Sequence, residues 1–134
     1  MKEVSPLVFG PGTWIIMHIF ALVCDSSDNG ETDRECFLKF VKKILERLPC
    51  KTCRKHSSEY YNQNPPENEQ ELFKWTWKFH NSVNKRLGKD VIEYEDAKNL
   101  YENAEVILSE NGEECEKCDE SWKDGNKEIN ITVS

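Results

Sequence analysis

The chain has 134 residues, is 37% hydrophobic and 32% charged, and carries a formal net charge of −7. That length fits one domain with an extension rather than two domains, and the acidic balance argues against a nucleic-acid binder. No run reaches the roughly 18 apolar residues that read as a membrane span, and Met1-Lys2-Glu3-Val4-Ser5-Pro6 has no apolar signal-peptide core. The expectation is a protein with no membrane partner, resident in the cytoplasm or in a compartment reached without such a signal. Six cysteines in such a chain favour metal or redox chemistry over a secreted disulfide framework.

Taken in order, residues 1–9 read as an extended arm. Gly10-Pro11-Gly12 is a turn signal, and Thr13 is placed to cap a helix from Trp14 to Cys24. That segment is so densely apolar that burial nearly all round is expected. A polar loop, 25–30, precedes Thr32-Asp33-Arg34-Glu35, which reads as a capping box. Phe37, Phe40, Val41, Ile44, Leu45 and Leu48 then repeat at helical spacing up to Pro49. A third helix runs from the Cys50-Lys51-Thr52-Cys53 motif to Gln63, ahead of Asn64-Pro65-Pro66. Asn68-Glu69-Gln70-Glu71 offers another cap. The fourth helix carries Leu72, Trp75, Phe79, Val83 and Leu87 on one face and closes at Gly88. A fifth spans roughly Glu93 to Ser109. No stretch alternates with period two, so the fold class is an all-α bundle. The domain is expected over 10–109, and 110–134 form an acidic tail. Residues 110–128 hold eight carboxylates and three lysines, a net of −5.

Chemistry concentrates at Leu48-Pro49-Cys50-Lys51-Thr52-Cys53-Arg54-Lys55-His56. Both thiols should lie in the first turn of a helix, where unpaired N–H groups and the positive end of the helix dipole favour a thiolate. Arg47, Lys51, Arg54 and Lys55 add positive charge around them. The working reading is a redox-active Cys50–Cys53 disulfide, with no metal. One alternative is a noncatalytic, zinc-stapled interaction module using Cys50, Cys53, Cys115 and Cys118. The 61 residues between the two pairs contrast with the roughly 15–20 of compact zinc modules. A purely structural bridge is the other alternative, but CxxC bridges within a helix are reducible and poor staples.

A dithiol needs an electron acceptor. Trp14 and His18 share one face of the first helix, and His80 and Asn84 repeat that spacing on the fourth, with Asn81, Lys85 and Lys89 nearby. Aromatic, imidazole and amide groups beside lysines suit a ring system bearing phosphates. The plainer reading is that the histidines and tryptophans are core residues.

Three motifs carry a resemblance: Gly10-x-x-Thr13-Trp14-x-x-x-His18-x-x-Ala21, Leu48-Pro49-Cys50-x-x-Cys53-x-x-His56, and Trp75-x-x-x-x-His80-Asn81-x-Val83-Asn84-x-Arg86-Leu87-Gly88-Lys89. In that order and spacing, over about residues 9–105, the chain resembles the ERV/ALR-type FAD-linked sulfhydryl oxidases, especially the small forms encoded by large DNA viruses. The resemblance implies a four-helix bundle plus a short fifth helix, with FAD held at one end. It implies that Trp14, His18, His80, Asn84 and Lys89 touch the flavin cofactor, and that Gly10, Gly12, His56, Asn81, Val83 and Lys85 line it. Tyr101 stands where the family has a tryptophan and would stack on the adenine end. Cys53 would be the thiol nearer the isoalloxazine and Cys50 the one that exchanges with protein dithiols, the electrons passing through flavin to O2 to give hydrogen peroxide. A homodimer is implied, working in the host cytoplasm or virus factory and packaged in the virion. Many cellular members carry a further disulfide where this chain has Trp77 and Tyr94. Cys24 and Cys36 could pair across the first hairpin or remain buried free thiols. Cys115 and Cys118 match the shuttle pair that some members carry on an arm; the alternative is an idle tail.

Overall fold

The computed structural model describes residues 2–110, with side chains as far as residue 103. The chain divides after Val91 into two units. The first holds α1 (Pro6–Asp25), α2 (Gly30–Glu46), α3 (Lys51–Gln63), a 3₁₀ turn (Pro66–Asn68) and α4 (Leu72–Arg86). The second begins at Ile92 and contains α5 (Tyr94–Glu110). There is no strand among the described residues. In the first unit α1 packs against α2 and α4, and α2 against α3. Tyr60 and Tyr61 bring α3 onto Phe79 and Trp75 of α4, closing a four-helix bundle. Its core is built from Met17, Ala21, Phe37, Val41, Leu45, Leu72, Phe73, Trp75 and Phe79.

α1 begins at Pro6, earlier than Gly10-Pro11-Gly12 suggests. The Ser5 hydroxyl accepts a hydrogen bond from the Leu7 N–H (3.2 Å), and Pro6 occupies the first helical position, where a missing N–H costs nothing. Residues 6–9 are thus helix rather than arm, and Pro11 sits inside α1. Pro11 lacks the N–H that would donate to the Leu7 carbonyl, on a turn where Leu7 and Val8 are exposed. Thr13 is no cap: its hydroxyl donates to the Phe9 carbonyl (2.7 Å). α1 is also not buried all round. Met17, His18, Ala21 and Cys24 face inward, while Ile16, Phe20 and Val23 are exposed. By length and composition α1 is apolar enough to cross a membrane, which counting uninterrupted apolar runs did not bring out; here one face belongs to the bundle core.

Two further helix starts differ from the sequence reading. α2 starts at Gly30 with Asn29 as cap residue, so Thr32–Glu35 does not form its cap, and the Asp33 carboxylate instead accepts from the Ser27 hydroxyl in the loop. α4 is capped from a distance. The Asp25 carboxylate, at the last residue of α1, accepts from the N–H groups of Leu72 and Phe73 (both 2.9 Å). Residues 68–71 supply no side-chain cap, because Pro66–Asn68 form the 3₁₀ turn. Arg34 of α2 holds that connection by donating to the carbonyls of Pro66 (3.1 Å), Gln70 (3.2 Å) and Glu69. At its other end α4 closes as expected. Gly88 has φ of 71°, and the N–H groups of Gly88 and Lys89 return to the Lys85 (3.2 Å) and Asn84 (2.8 Å) carbonyls.

Cys24 and Cys36 are not bridged. Cys24 is the buried thiol expected of a small hydrophobe; Cys36 is exposed. Burial, then the charges of Asp33 and Asp25, push the Cys24 thiol up. α5, at 17 residues, is as long as α2 rather than short, and buries Ala97 and Tyr101.

Candidate active site

Cys50 is the N-cap residue of α3, one position ahead of the helix proper, and Pro49 lies outside it. The extended backbone at Cys50 (φ −151°, ψ 115°) points its sulfur back over the first turn, where Sγ accepts from the Cys53 N–H at 3.3 Å. Cys50 and Cys53 are joined by a disulfide, with Cα atoms 5.2 Å apart. The basic collar is partly spoken for. Arg54 donates to the Leu48 carbonyl (2.6 Å) and Arg47 to that of Lys43 (3.4 Å). The N-terminal segment reaches the same place: the Val4 N–H donates to the Pro49 carbonyl (2.7 Å), and the Glu3 carboxylate accepts from the Lys51 N–H (3.0 Å). Lys2, Glu3, Glu46, Arg47, Pro49 and Arg54 line a cleft of about 330 Å³ there.

A second centre forms where α1 crosses α4. Trp14 stacks on His80 with ring centroids 4.1 Å apart and planes 4° from parallel. Beneath them His18 of α1, 2% exposed, reaches two polar groups of α4: Nδ1 lies 2.8 Å from the Thr76 hydroxyl and Nε2 lies 2.9 Å from His80 Nδ1. Burial first, then the neighbouring His80, pulls the His18 pKa down to about 3. Burial and the Lys89 charge pull His80 down to about 4. Both imidazoles are therefore neutral at physiological pH. The bundle gathers Trp14, His18 and His80 as the sequence spacing foresaw, with Asn84 buried one turn beyond His80.

The remaining positions spread around this centre. Asn81 and Lys85 line an open groove of about 710 Å³ with Tyr60, Trp77, Lys78 and Arg86, a size suited to a small-molecule ligand. Val83 is half-buried and Lys89 exposed. Gly10 and Gly12 lie in the first turns of α1, and a Cβ on either would meet no atom of the described chain within 4 Å. On α3, Cys53, His56, Ser57 and Tyr60 follow one another at helical spacing, on the side whose Tyr60 stacks on Phe79 at 4.8 Å. Phe79 in turn meets Trp14 edge-on at 5.0 Å. His56 Nδ1 is buried without a hydrogen-bond partner. Tyr101 belongs to the second unit, and burial holds its hydroxyl up at about 12. Cys115 and Cys118 lie outside the described residues. Thr76, Glu3 and Asp25 were missed by sequence reasoning; Thr76 and His80 do share the i, i+4 spacing, which is the one signal that links Thr76 to the site.

A helical bundle with a disulfide at a helix start and a neutral aromatic–imidazole cluster across two other helices belongs among small helical redox proteins. The chain is a member of the Erv1/Alr family, whose model matches residues 11–103. It is 34% identical to an FAD-linked sulfhydryl oxidase of African swine fever virus over 108 residues, covering 79% of this chain and 90% of that protein. It is 30% identical to the putative FAD-linked sulfhydryl oxidase 347L of Invertebrate iridescent virus 6, covering 69% and 90%. To FAD-linked sulfhydryl oxidase ERV1 of Arabidopsis thaliana it is also 30% identical, covering 66% of this chain and 48% of the plant protein.

Proposed function

We propose that this chain forms disulfide bonds in protein substrates through exchange at Cys50–Cys53, with FAD as its cofactor and dioxygen as the final acceptor. The class, an FAD-linked thiol oxidase, follows from membership of the family and from the name its viral and plant relatives share. The observation that carries the chemistry is the Cys50–Cys53 disulfide at the N-terminus of α3.

The residues present fit a flavin nucleotide. His56 Nδ1 is a buried polar atom with no partner, the kind of group a bound ligand satisfies. Trp14 and His80 offer flat apolar faces, Asn81 and Asn84 offer amides, and Lys85 and Lys89 offer charge for phosphates. Held by these residues, FAD would supply the two-electron acceptor for the reduced Cys50–Cys53 pair, with O2 as the final acceptor and hydrogen peroxide as its product.

The exchange itself belongs to the protein. A substrate thiolate attacks Cys50 Sγ, a substrate–Cys50 bond forms, and Cys53 leaves as a thiolate. The second substrate thiolate then attacks the substrate sulfur of that mixed disulfide. Cys50 leaves, the substrate is oxidised, and the pair is reduced, with two thiol protons released. Cys50 suits the outer role because it caps the helix from outside, and its leaving thiolate meets the Cys53 N–H at the positive helix end. Cys53 suits the inner role because it shares its helix face with His56 and Tyr60. Relatives from large DNA viruses support action in the host cytoplasm or virus factory, where a dedicated oxidase opposes the reducing thiol pools.

The test is Cys53→Ser alongside the unaltered protein. The purified protein is expected to be yellow from bound flavin, and the variant to keep that colour while losing oxidation of a model dithiol. Activity above a few per cent in the variant would contradict the assignment of Cys53.

A further inference from the structure

Thr76 is fully buried on α4 and has no part in the family motifs quoted above. Its hydroxyl lies 2.8 Å from the Phe73 carbonyl oxygen. Two oxygens sit that close only with a hydrogen between them, and the carbonyl has none to give. The Thr76 hydrogen is therefore committed to Phe73. His18 Nδ1, 2.8 Å from the same hydroxyl, must then be the donor of that contact. A neutral imidazole carries one hydrogen, so His18 Nε2 is bare. The 2.9 Å contact between His18 Nε2 and His80 Nδ1 then requires the hydrogen on His80. By the same count His80 Nε2 is bare as well. Burial holds both rings neutral, the state this count of hydrogens requires.

We propose that Thr76 is a positioning residue that sets the tautomers of His18 and His80, so that His80 meets the flavin nucleotide with Nε2 as a hydrogen-bond acceptor. The ligand edge it takes is an N–H donor, a chemistry shared by the exocyclic amine of an adenine and the ring imide of a flavin. Direction is the essential feature. Without the hydroxyl, His18 is free to carry its hydrogen on Nε2; His80 Nδ1 must then accept, and His80 Nε2 becomes a donor that repels the same edge. The proposal rests on the reading of the Trp14–His80 face as the seat of the nucleotide, but the tautomers are measurable without any ligand.

The experiment uses the full chain, compared with Thr76→Val, which keeps the shape and loses the hydroxyl, and Thr76→Ser, which keeps the hydroxyl. Long-range proton–nitrogen correlation spectra read the tautomer of each histidine at neutral pH. The unaltered protein and Thr76→Ser are expected to carry both hydrogens on Nδ1, and Thr76→Val to populate the reversed pair. Binding of ADP and of FMN, titrated separately, then distinguishes the two donor edges. Thr76→Val is expected to weaken one of them about tenfold, the worth of one buried hydrogen bond, with Thr76→Ser near the unaltered value. His80 protonated at Nε2 in the unaltered protein would overturn the proposal even if the valine variant fails to fold. So would unchanged tautomers in a folded Thr76→Val, or unchanged binding of both probes. A protein that binds neither ADP nor FMN would defeat the nucleotide seat while leaving the tautomer lock to stand or fall on its spectra.

Discussion

His18 and His80 place a proton-linked penalty inside the bundle. In the unfolded chain each titrates near 6.5, whereas in the folded protein burial holds His18 to about 3, and burial with Lys89 holds His80 to about 4. The unfolded state therefore binds protons that the folded state refuses, and stability falls as pH drops below 6.5. Between there and pH 4 the slope contributed by the pair approaches two protons per molecule. Urea unfolding at a series of pH values should show this loss, and His80→Gln should remove close to half of it. A slope identical in the two proteins would show that His80 is not held neutral by the fold. Trp14, His18, His80 and Asn84 were legible in the sequence because helical spacing puts each pair on one face. Their ordering through Thr76 was not, since a threonine within a helix reads as filler until the partner helix lies across it.

The helices themselves were legible and their beginnings were not. Periodic apolar residues mark a helix's body, but its first turn needs acceptors, and here those come from elsewhere in the chain. Asp25, at the end of α1, serves two N–H groups of α4 that lie 47 and 48 residues away. Local capping patterns at 32–35 and 68–71 pointed to nearer and wrong partners. Asp25→Ala is expected to cost about 1–2 kcal/mol and to lower the melting temperature by several degrees, with Asp25→Asn milder; no change in melting would dismiss the cap. Glu3 is the corresponding group at α3, and its charge has a chemical consequence. A carboxylate on the Lys51 N–H occupies the positive helix end that a reduced Cys50 thiolate would use. Glu3→Gln should therefore speed alkylation of reduced Cys50 by iodoacetamide roughly two- to fivefold at low salt, and an unchanged or slower rate would remove Glu3 from the electrostatics of the pair.

At the scale of the whole molecule the charge is divided. Residues 110–128 carry a net of −5 out of −7, so the rest of the chain is close to neutral. The Cys50 end of α3 is ringed by Arg47, Lys51, Arg54 and Lys55, tempered by Glu3 and Glu46 in the adjoining cleft. Cys115 and Cys118 sit within the acidic segment, outside the described residues. We propose that they relay electrons from substrate dithiols to Cys50–Cys53. A tethered pair meets its target at an effective concentration on the order of millimolar, and opposite charge favours the encounter when salt is low. The chain ended at Asn111 separates this relay from direct entry. It keeps Cys50, Cys53 and every residue assigned here to the flavin seat, so oxidation of a small dithiol is expected to be nearly unchanged. Oxidation of a protein dithiol is expected to fall markedly, and the advantage of the full chain over the shortened one should shrink as salt is raised. Cys115→Ser with Cys118→Ser in the full-length chain tests the thiols apart from the charge, and should reproduce the loss. Equal rates on the protein substrate in all three proteins would make Cys50 the direct point of entry.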